Sequence, residues 1–473
     1  MSAAPPRLQP TPAPRPGIGI VHLGLGAFFR AHVAHYLADS MAASGGDWGV
    51  VGVSLRRPDA RDRLVPQGCA YSAIELAPDG ARRRVFTLIR DVLVAPEDPG
   101  AVIVRLADPQ VRLVTLTVTE KGYCLDRANG RLDLTHPDIR HDLATPDAPR
   151  SVPGFLVAGL ARRRAAGLRP FTVLSCDNLP GNGPLLRAAV LDFAREGDPD
   201  LAAWIDAEGR FPSTMVDRIV PATGPGDIAR LAARYGVEDA APVQHEPFRQ
   251  WVVEDDFVDG ARPDLGAAGA ELVADVTPFE HMKLRCLNGA HSSLAYLGAL
   301  AGHETIAEAV ADPAFAGFLH RLWHGEVLPG LTAPPGVDLT GYCAALLQRF
   351  ANPEIRHHTA QIAMDGSQKL PQRLLAPLAE NRAAGRPSAA LTLAVAGWMQ
   401  HVATAPELHD PLAERLRAAA KGGIAGFLDL HEVIPAALRA DAGFARDLAD
   451  ALATLDRLGA AGAVSALAPS RLP

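Results

Sequence analysis

The chain has 473 residues, 48% of them hydrophobic and 21% charged, with a formal net charge of -7. That is enough apolar material for two domains with full cores, and an acidic balance with arginines interleaved among acids gives no electrostatic footprint for nucleic acid. Five scattered cysteines, Cys69, Cys124, Cys176, Cys286 and Cys343, form no CxxC pair, which argues against a disulfide framework or a cysteine zinc site and for a reducing, cytoplasmic compartment.

Residues 1–16 read as a Pro-rich polar lead without the apolar run of a signal peptide. No later apolar run approaches the length of a membrane span. GIGIVHLGLGAFFRAH then combines a short apolar run (Ile18, Ile20, Leu23), two glycines (Gly24, Gly26) and a stretch with Phe28, His32, His35 and Tyr36 at helical spacing. Strand, glycine turn and helix open a dinucleotide-binding unit, in which glycines let backbone approach a pyrophosphate at a helix N-terminus. The third glycine of GxGxxG is replaced by Phe29, so this signal is also met by a strand-turn-helix with no ligand.

Further strands are expected in WGVVGVSLRR, VRLVTLTVTE and PFTVLSCDN, with a helix near GFLVAGLARRRAAG between the last two. Strands alternating with helices predict a parallel, doubly wound sheet, whose ligands bind beyond the strands' C-terminal ends. Two strands end there in polar groups, Thr119-Glu120 and Ser175-Cys176-Asp177-Asn178, which equally suit turns and caps. After the second strand Arg56, Arg57 and Asp59 leave NAD and NADP both open.

From residue 276 the pattern becomes Ala/Leu-rich and helical. The expected organisation is a Rossmann-type domain over 17–275 and a mainly helical domain over 276–473, with the active site in the cleft between them. The last residues, ALAPSRLP, read as loosely ordered. Pro278 suits the first turn of a helix running past Tyr296. That helix carries Lys283, one of only four lysines (with Lys121, Lys369 and Lys421) in a chain with 46 Lys+Arg. Arginine keeps its proton in a protein, whereas a buried lysine can act as a base, so a lysine in an arginine background points to proton chemistry. At about 100° per residue, Glu280 falls at about 60° from Lys283, His291 at about 80° and Asn288 at about 140°. These four polar groups share a face with Leu284, Leu287 and Leu294. Either they pair with one another or they line a cleft. In the chemical reading Lys283 takes the proton of a substrate hydroxyl as hydride leaves the same carbon. Asn288 and Asn178 donate to the developing oxyanion, His291 orients the substrate, and Glu280 passes the proton to solvent. A metal is not needed, because His281 and His291 lack the spacing of a zinc pair.

Lys283, Asn288 and His291 stand in a K-x4-N-x2-H pattern. With IVHLGLGAFFRAH, SCDNLPGNG, MVDRIVPAT, EPFRQWVVEDDF and ADVTPFEHMKLRCLNGAH, the chain resembles the polyol-specific long-chain dehydrogenases/reductases, the mannitol dehydrogenase family, over nearly its whole length. The resemblance implies a Rossmann-type first domain, a mostly helical second one, NAD or NADP as cofactor, a sugar acid or polyol as substrate, and often a monomer. It places the general base on Lys283, the oxyanion donors on Asn178 and Asn288, and a proton gate on Glu280. It sets Gly24, Gly26, Phe28, Arg30, Glu120 and Asp217 in or near the cofactor site, although the family usually has histidine where this chain has Phe29. LTVTEKGYC and MDGSQKLPQRLL are most similar to the branch acting on keto sugar acids; the neutral-polyol branch more often carries arginine at the place of Gln361. A carboxylate substrate wants a fixed cation, for which Lys121, Arg356, Lys369 and Arg373 are candidates. A lyase with Lys283 as Schiff-base nucleophile and a nucleotide-binding regulator without turnover are the rival readings.

Overall fold

The computed structural model describes residues 5–10, 14–126 and 130–467, and the chain divides into two compact units, one up to Thr277 and one from Pro278. Residues 468–473 of the expected loose tail lie outside the described residues.

In the first unit the strands are β1 (Ile18–Leu23), β2 (Gly49–Ser54), β3 (Tyr71–Ala77), β4 (Gly80–Phe86), β5 (Ile89–Val94), β6 (Leu113–Leu116), β7 (Thr172–Ser175), β8 (Thr214–Asp217), β9 (Val243–His245), β10 (Gln250–Glu254) and β11 (Glu271–Val273). Five of them pair in parallel in the order β5-β2-β1-β6-β7. Side chains alternate between two cores, as the two-residue period of a strand requires. Ile20, Leu113 and Leu174 pack with Phe29, Leu37 and Trp251 on one face. Val21, Val114 and Val173 pack with Ile103, Phe155 and Leu186 on the other. The crossover from β6 to β7 contains the helix Val152–Ala165, capped by the Ser151 hydroxyl on Gly154 N–H at 3.1 Å. Strand order runs one way from β1 to β2 and the other way from β1 to β6, so β1 and β6 flank the switch point where such sheets bind ligands. This is the doubly wound sheet the alternation of strands and helices predicts.

Three local features depart from expectation. The helical stretch after the glycine turn breaks at His32 (φ -126°, ψ -78°) into Ala27–Ala31 and Val33–Ser44, and His32 Nε2 lies 2.8 Å from Gln250 O. Part of the Pro-rich lead is packed: Leu8 is buried and its N–H donates to Glu238 O at 2.8 Å. Two small sheets, β4-β3-β9 and β11-β10-β8, join strands far apart in the chain, such as Trp251 opposite Val216.

The second unit is helical. Its central helix Gly289–Leu300 is buried from Gly289 to Gly298, all round, as a core helix must be. The helix Ala389–Thr404 packs on it closely enough that a Cβ on Gly397 would stand 2.6 Å from Leu297 Cδ2. Three segments are wound as π-helix: Lys283–Asn288, Arg321–Val327 and Pro371–Leu375. Such winding is rare and concentrates at functional sites. Neighbours take carbonyls of two of these segments. Trp323 Nε1 donates to Cys286 O at 2.9 Å, and Asn381 Nδ2 to Glu326 O at 2.7 Å. The buried Glu326 carboxylate accepts the N–H groups of Ala390 and Leu391 at 2.8 and 2.9 Å, capping the helix that packs on the central one.

Candidate active site

In the first unit the ends of β1, β6 and β7 stand side by side and are tied together. Gly24, just past β1, has φ +87°, and a Cβ there would stand 2.3 Å from Thr117 O, so only glycine fits. Thr117, just past β6, donates its hydroxyl to Gly24 O at 2.9 Å. Gly26 is glycine for a different reason. Its φ is -109° and a Cβ would meet nothing closer than Gly24 O at 3.7 Å, so the chain's own packing does not demand it. The room left there fits the close approach of a dinucleotide's pyrophosphate. Phe28 stacks on His32 at 5.0 Å, and Phe29 is fully buried against His22 at 3.8 Å, which is why a glycine is not needed at the third position. Arg30 turns inward: Nε donates to Gly26 O at 3.2 Å and Nη1 to Ala241 O, bracing the turn.

At the end of β7 the buried Asp177 carboxylate accepts three hydrogen bonds, from Val118 N–H (3.1 Å), Thr119 N–H (2.9 Å) and the Tyr123 hydroxyl (2.9 Å). Burial pushes its carboxyl above the usual range, and the three donors oppose the rise. The clamp holds Thr119 at φ 66°, ψ 166°, a region almost confined to glycine and costly for a β-branched residue. The next residue, Glu120, is exposed, as is Asn178 beside the clamp. Asp217 is buried as the last residue of β8, opposite Gln250. The chain pattern around Thr119-Glu120 and Asp177-Asn178 is legible in the sequence, but the clamp itself and Tyr123 are not.

In the second unit Glu280, Lys283, Asn288 and His291 are all buried, 6–7% exposed each. Glu280 lies in the helix Thr277–Met282, which enters the π-wound segment at Lys283. The angular reading on a plain α-helix needs correcting here. A π-helix bonds i to i+5, so Lys283 and Asn288 lie about one turn apart rather than about 140° apart. His291 follows three residues later on α-helix. All four therefore come to one edge of the helix. Two of their polar atoms, Asn288 Nδ2 and His291 Nε2, are buried and have no hydrogen-bond partner among the described residues. Leaving such atoms unpaired costs about 1–3 kcal/mol each, so they favour a ligand that completes them. The His291 ring stacks on Phe350 at 4.7 Å and meets His357 edge-on at 4.9 Å. Burial, then the neighbouring His357, Arg373, Arg349 and Lys369, hold it neutral, well below an ordinary histidine. Sequence reasoning missed His357 and Ser292. The latter accepts from Arg373 Nη1 at 3.2 Å.

A glycine turn at a switch point in the first unit, and a buried set of lysine, amide, imidazole and carboxylate in the second, define a class of protein. The chain belongs to the mannitol dehydrogenase family: residues 18–266 match the mannitol dehydrogenase Rossmann domain and residues 275–456 the mannitol dehydrogenase C-terminal domain. It is an oxidoreductase of the dehydrogenase type. It is 48% identical over 387 residues to the D-mannonate oxidoreductase of Escherichia coli (strain K12), covering 81% of this chain and 79% of that one. To the mannitol 2-dehydrogenase of Pyrenophora tritici-repentis (strain Pt-1C-BFP) it is 43% identical over 456 residues, 93% of this chain and 80% of that one. The structure of Pseudomonas fluorescens mannitol 2-dehydrogenase, a ternary complex with NAD and D-mannitol, superposes with a TM-score of 0.86 at 38% identity, covering 96% of this chain and 94% of that chain. Among the described residues no helix is long and apolar enough to cross a membrane.

Proposed function

We propose that this chain is a cytoplasmic, NAD-dependent reductase that needs no metal and interconverts D-fructuronate and D-mannonate. The observation that carries the reading is the pair of unpartnered buried polar atoms, Asn288 Nδ2 and His291 Nε2, on one edge with the buried Lys283. The likeness to a D-mannonate oxidoreductase supports the choice of a sugar acid. Five buried, free cysteines suit a reducing compartment.

Gly24, Gly26, Phe28, Glu120 and Asp217 would hold the cofactor, with Arg30 bracing the glycine turn. NAD(H) bound there supplies the hydride. As hydride reaches the ketone carbon, Lys283 gives its proton to the oxygen, and in the reverse direction it takes that proton back. Asn288 and Asn178 donate to the oxygen while it carries negative charge. His291, held neutral, hydrogen-bonds a substrate hydroxyl and fixes the carbon that reacts. Glu280 exchanges the lysine's proton with solvent.

The test is consumption of NADH, and separately NADPH, with D-fructuronate or D-fructose as substrate. Turnover of D-fructuronate with NADH is the expected result. A preference for D-fructose would move the protein to the second reading, mannitol 2-dehydrogenase, which the 43% identical relative favours. Borohydride trapping of a sugar on Lys283 would replace both with a Schiff-base mechanism.

A further inference from the structure

Of the four cations that could meet a substrate carboxylate, the structure separates two from the rest. Lys121 and Arg356 are exposed, whereas Lys369 and Arg373 are half-buried, four residues apart on the helix Gly366–Leu370 and the π-wound segment that continues it. Arg373 touches the helix that carries Asn288 and His291 twice. Its Nη1 donates to Ser292 Oγ at 3.2 Å, and its backbone oxygen lies where a Cβ on Gly289 would come within 3.0 Å. Lys369 Nζ donates to Met364 O at 2.7 Å and Ile362 O at 3.4 Å.

Neither cation has an ion pair among the described residues, and the Ser292 contact is the one hydrogen bond Arg373 makes there. Two other half-buried arginines of the unit are paired with acids. Arg285 grips Glu380 with two bonds, 2.7 and 2.8 Å, and Arg382 holds Asp441 and Asp447. The acids whose fields reach Lys369 are Asp365 and Asp410. Asp410 is engaged by the Ser367 N–H and hydroxyl, and neither acid comes within ion-pair distance of the two cations. Near them too are the neutral His291, His357, held down to about 4 by burial and then by Lys369, and the Tyr296 phenol, with Arg349 a further cation whose field reaches His291. Burial pushes Arg373 down to about 10 and lowers Lys369 as well, the response of cations without a counter-ion. An arginine nevertheless keeps its charge. A half-buried positive pair beside the candidate catalytic helix therefore lacks the anion that would neutralise it.

We propose that Arg373, assisted by Lys369, is the anchor for the substrate's carboxylate, its planar fork taking the two carboxylate oxygens. This rests on the sugar-acid reading above and assigns the residues that would make it selective. A neutral polyol would leave the pair uncompensated, so the same two side chains that attract a sugar acid disfavour its neutral analogue.

The experiment uses the full-length enzyme with NADH and D-fructuronate, comparing wild type with Arg373→Gln, Arg373→Lys and Lys369→Gln, and measuring NADH affinity in parallel. Arg373→Gln is expected to raise KM about a hundredfold with kcat and NADH affinity nearly unchanged. Arg373→Lys, a point charge without the fork, should fall between the two, and Lys369→Gln should give a smaller rise in KM. A loss confined to kcat would mean that Arg373 only positions the helix through Ser292, and would overturn the anchor; so would an unchanged KM. Should Arg373→Gln fail to fold, the Lys variants at and beside the position decide by the same KM-against-kcat split. Wild type that turns over D-fructose but not D-fructuronate would sink the sugar-acid reading itself, a result visible before any variant is made.

Discussion

Two buried histidines make the most instructive comparison in the molecule. His22, on β1, is fully buried, stacks on Phe29, and has both ring nitrogens engaged, with Thr115 Oγ1 at 2.8 Å and Thr117 Oγ1 at 2.9 Å. His291, in the second unit, is nearly as buried and stacks on Phe350, yet its Nε2 has no partner among the described residues. Burial holds both neutral, His22 down to about 3. Neither depth nor suppressed basicity separates them. What does is whether the hydrogen bonds are complete: the first ring is finished by its own fold, and the second is not.

The sharpest way to break that contrast is chemical. Lys283→Ala, beside the incomplete ring, should lower kcat by about 10³-fold while circular dichroism stays native; undiminished kcat would end the proton role. Asn288→Ala should cost about 10²-fold in kcat with little change in melting temperature, since Nδ2 holds nothing in the resting protein. For the two histidines the expected outcomes are opposite. His22→Phe strands the buried Thr115 hydroxyl, takes one partner from Thr117, and should destabilise by about 1–3 kcal/mol in denaturant titrations, leaving KM unchanged. His291→Phe should barely alter stability but raise KM. If both variants behaved alike, hydrogen-bond completion would be the wrong criterion. A further effect is in pH. The folded state holds His22 and His245 at about 3 and His357 at about 4, all below the ordinary histidine value. The unfolded chain therefore binds more protons between these values and about 6.5. Unfolding free energy should fall as pH drops through that window, and His22→Phe should flatten the slope.

Much of the scaffold is legible from local pattern. The apolar runs of β1, β2, β6 and β7, the glycines after β1 and the polar ends of β6 and β7 are all short-range signals. The helical character from residue 276 and the spacing of Lys283, Asn288 and His291 are equally local. What escaped depends on distant partners. The π winding of Lys283–Asn288 is accompanied by a Trp323 side chain bonding Cys286 O, and arithmetic at about 100° per residue assumes the winding it should have found. Asp177 reads as a capping residue because Val118, Thr119 and Tyr123, which complete its clamp, are more than fifty residues earlier. The β8, β10 and β11 strands are short and need one another to be recognised.

The wide turn at Lys283–Asn288 also bears on how distant cousins of this chain can be found. Its register depends on how the winding matches the number of residues between the lysine and the asparagine, more than on which residues they are. Arg285 faces Glu380, while Cys286 and Leu287 fill the core. These are local packing choices that another sequence could make differently. Removing one residue while the segment rewinds as ordinary helix would leave the lysine and the asparagine four apart, about 40° round the helix, so Asn288 and His291 would keep their face with Lys283. A cousin with one residue fewer in this interval, wound as plain α-helix, could therefore hold the same groups on one face, and an alignment that opens a single gap here still joins proteins able to share the chemistry.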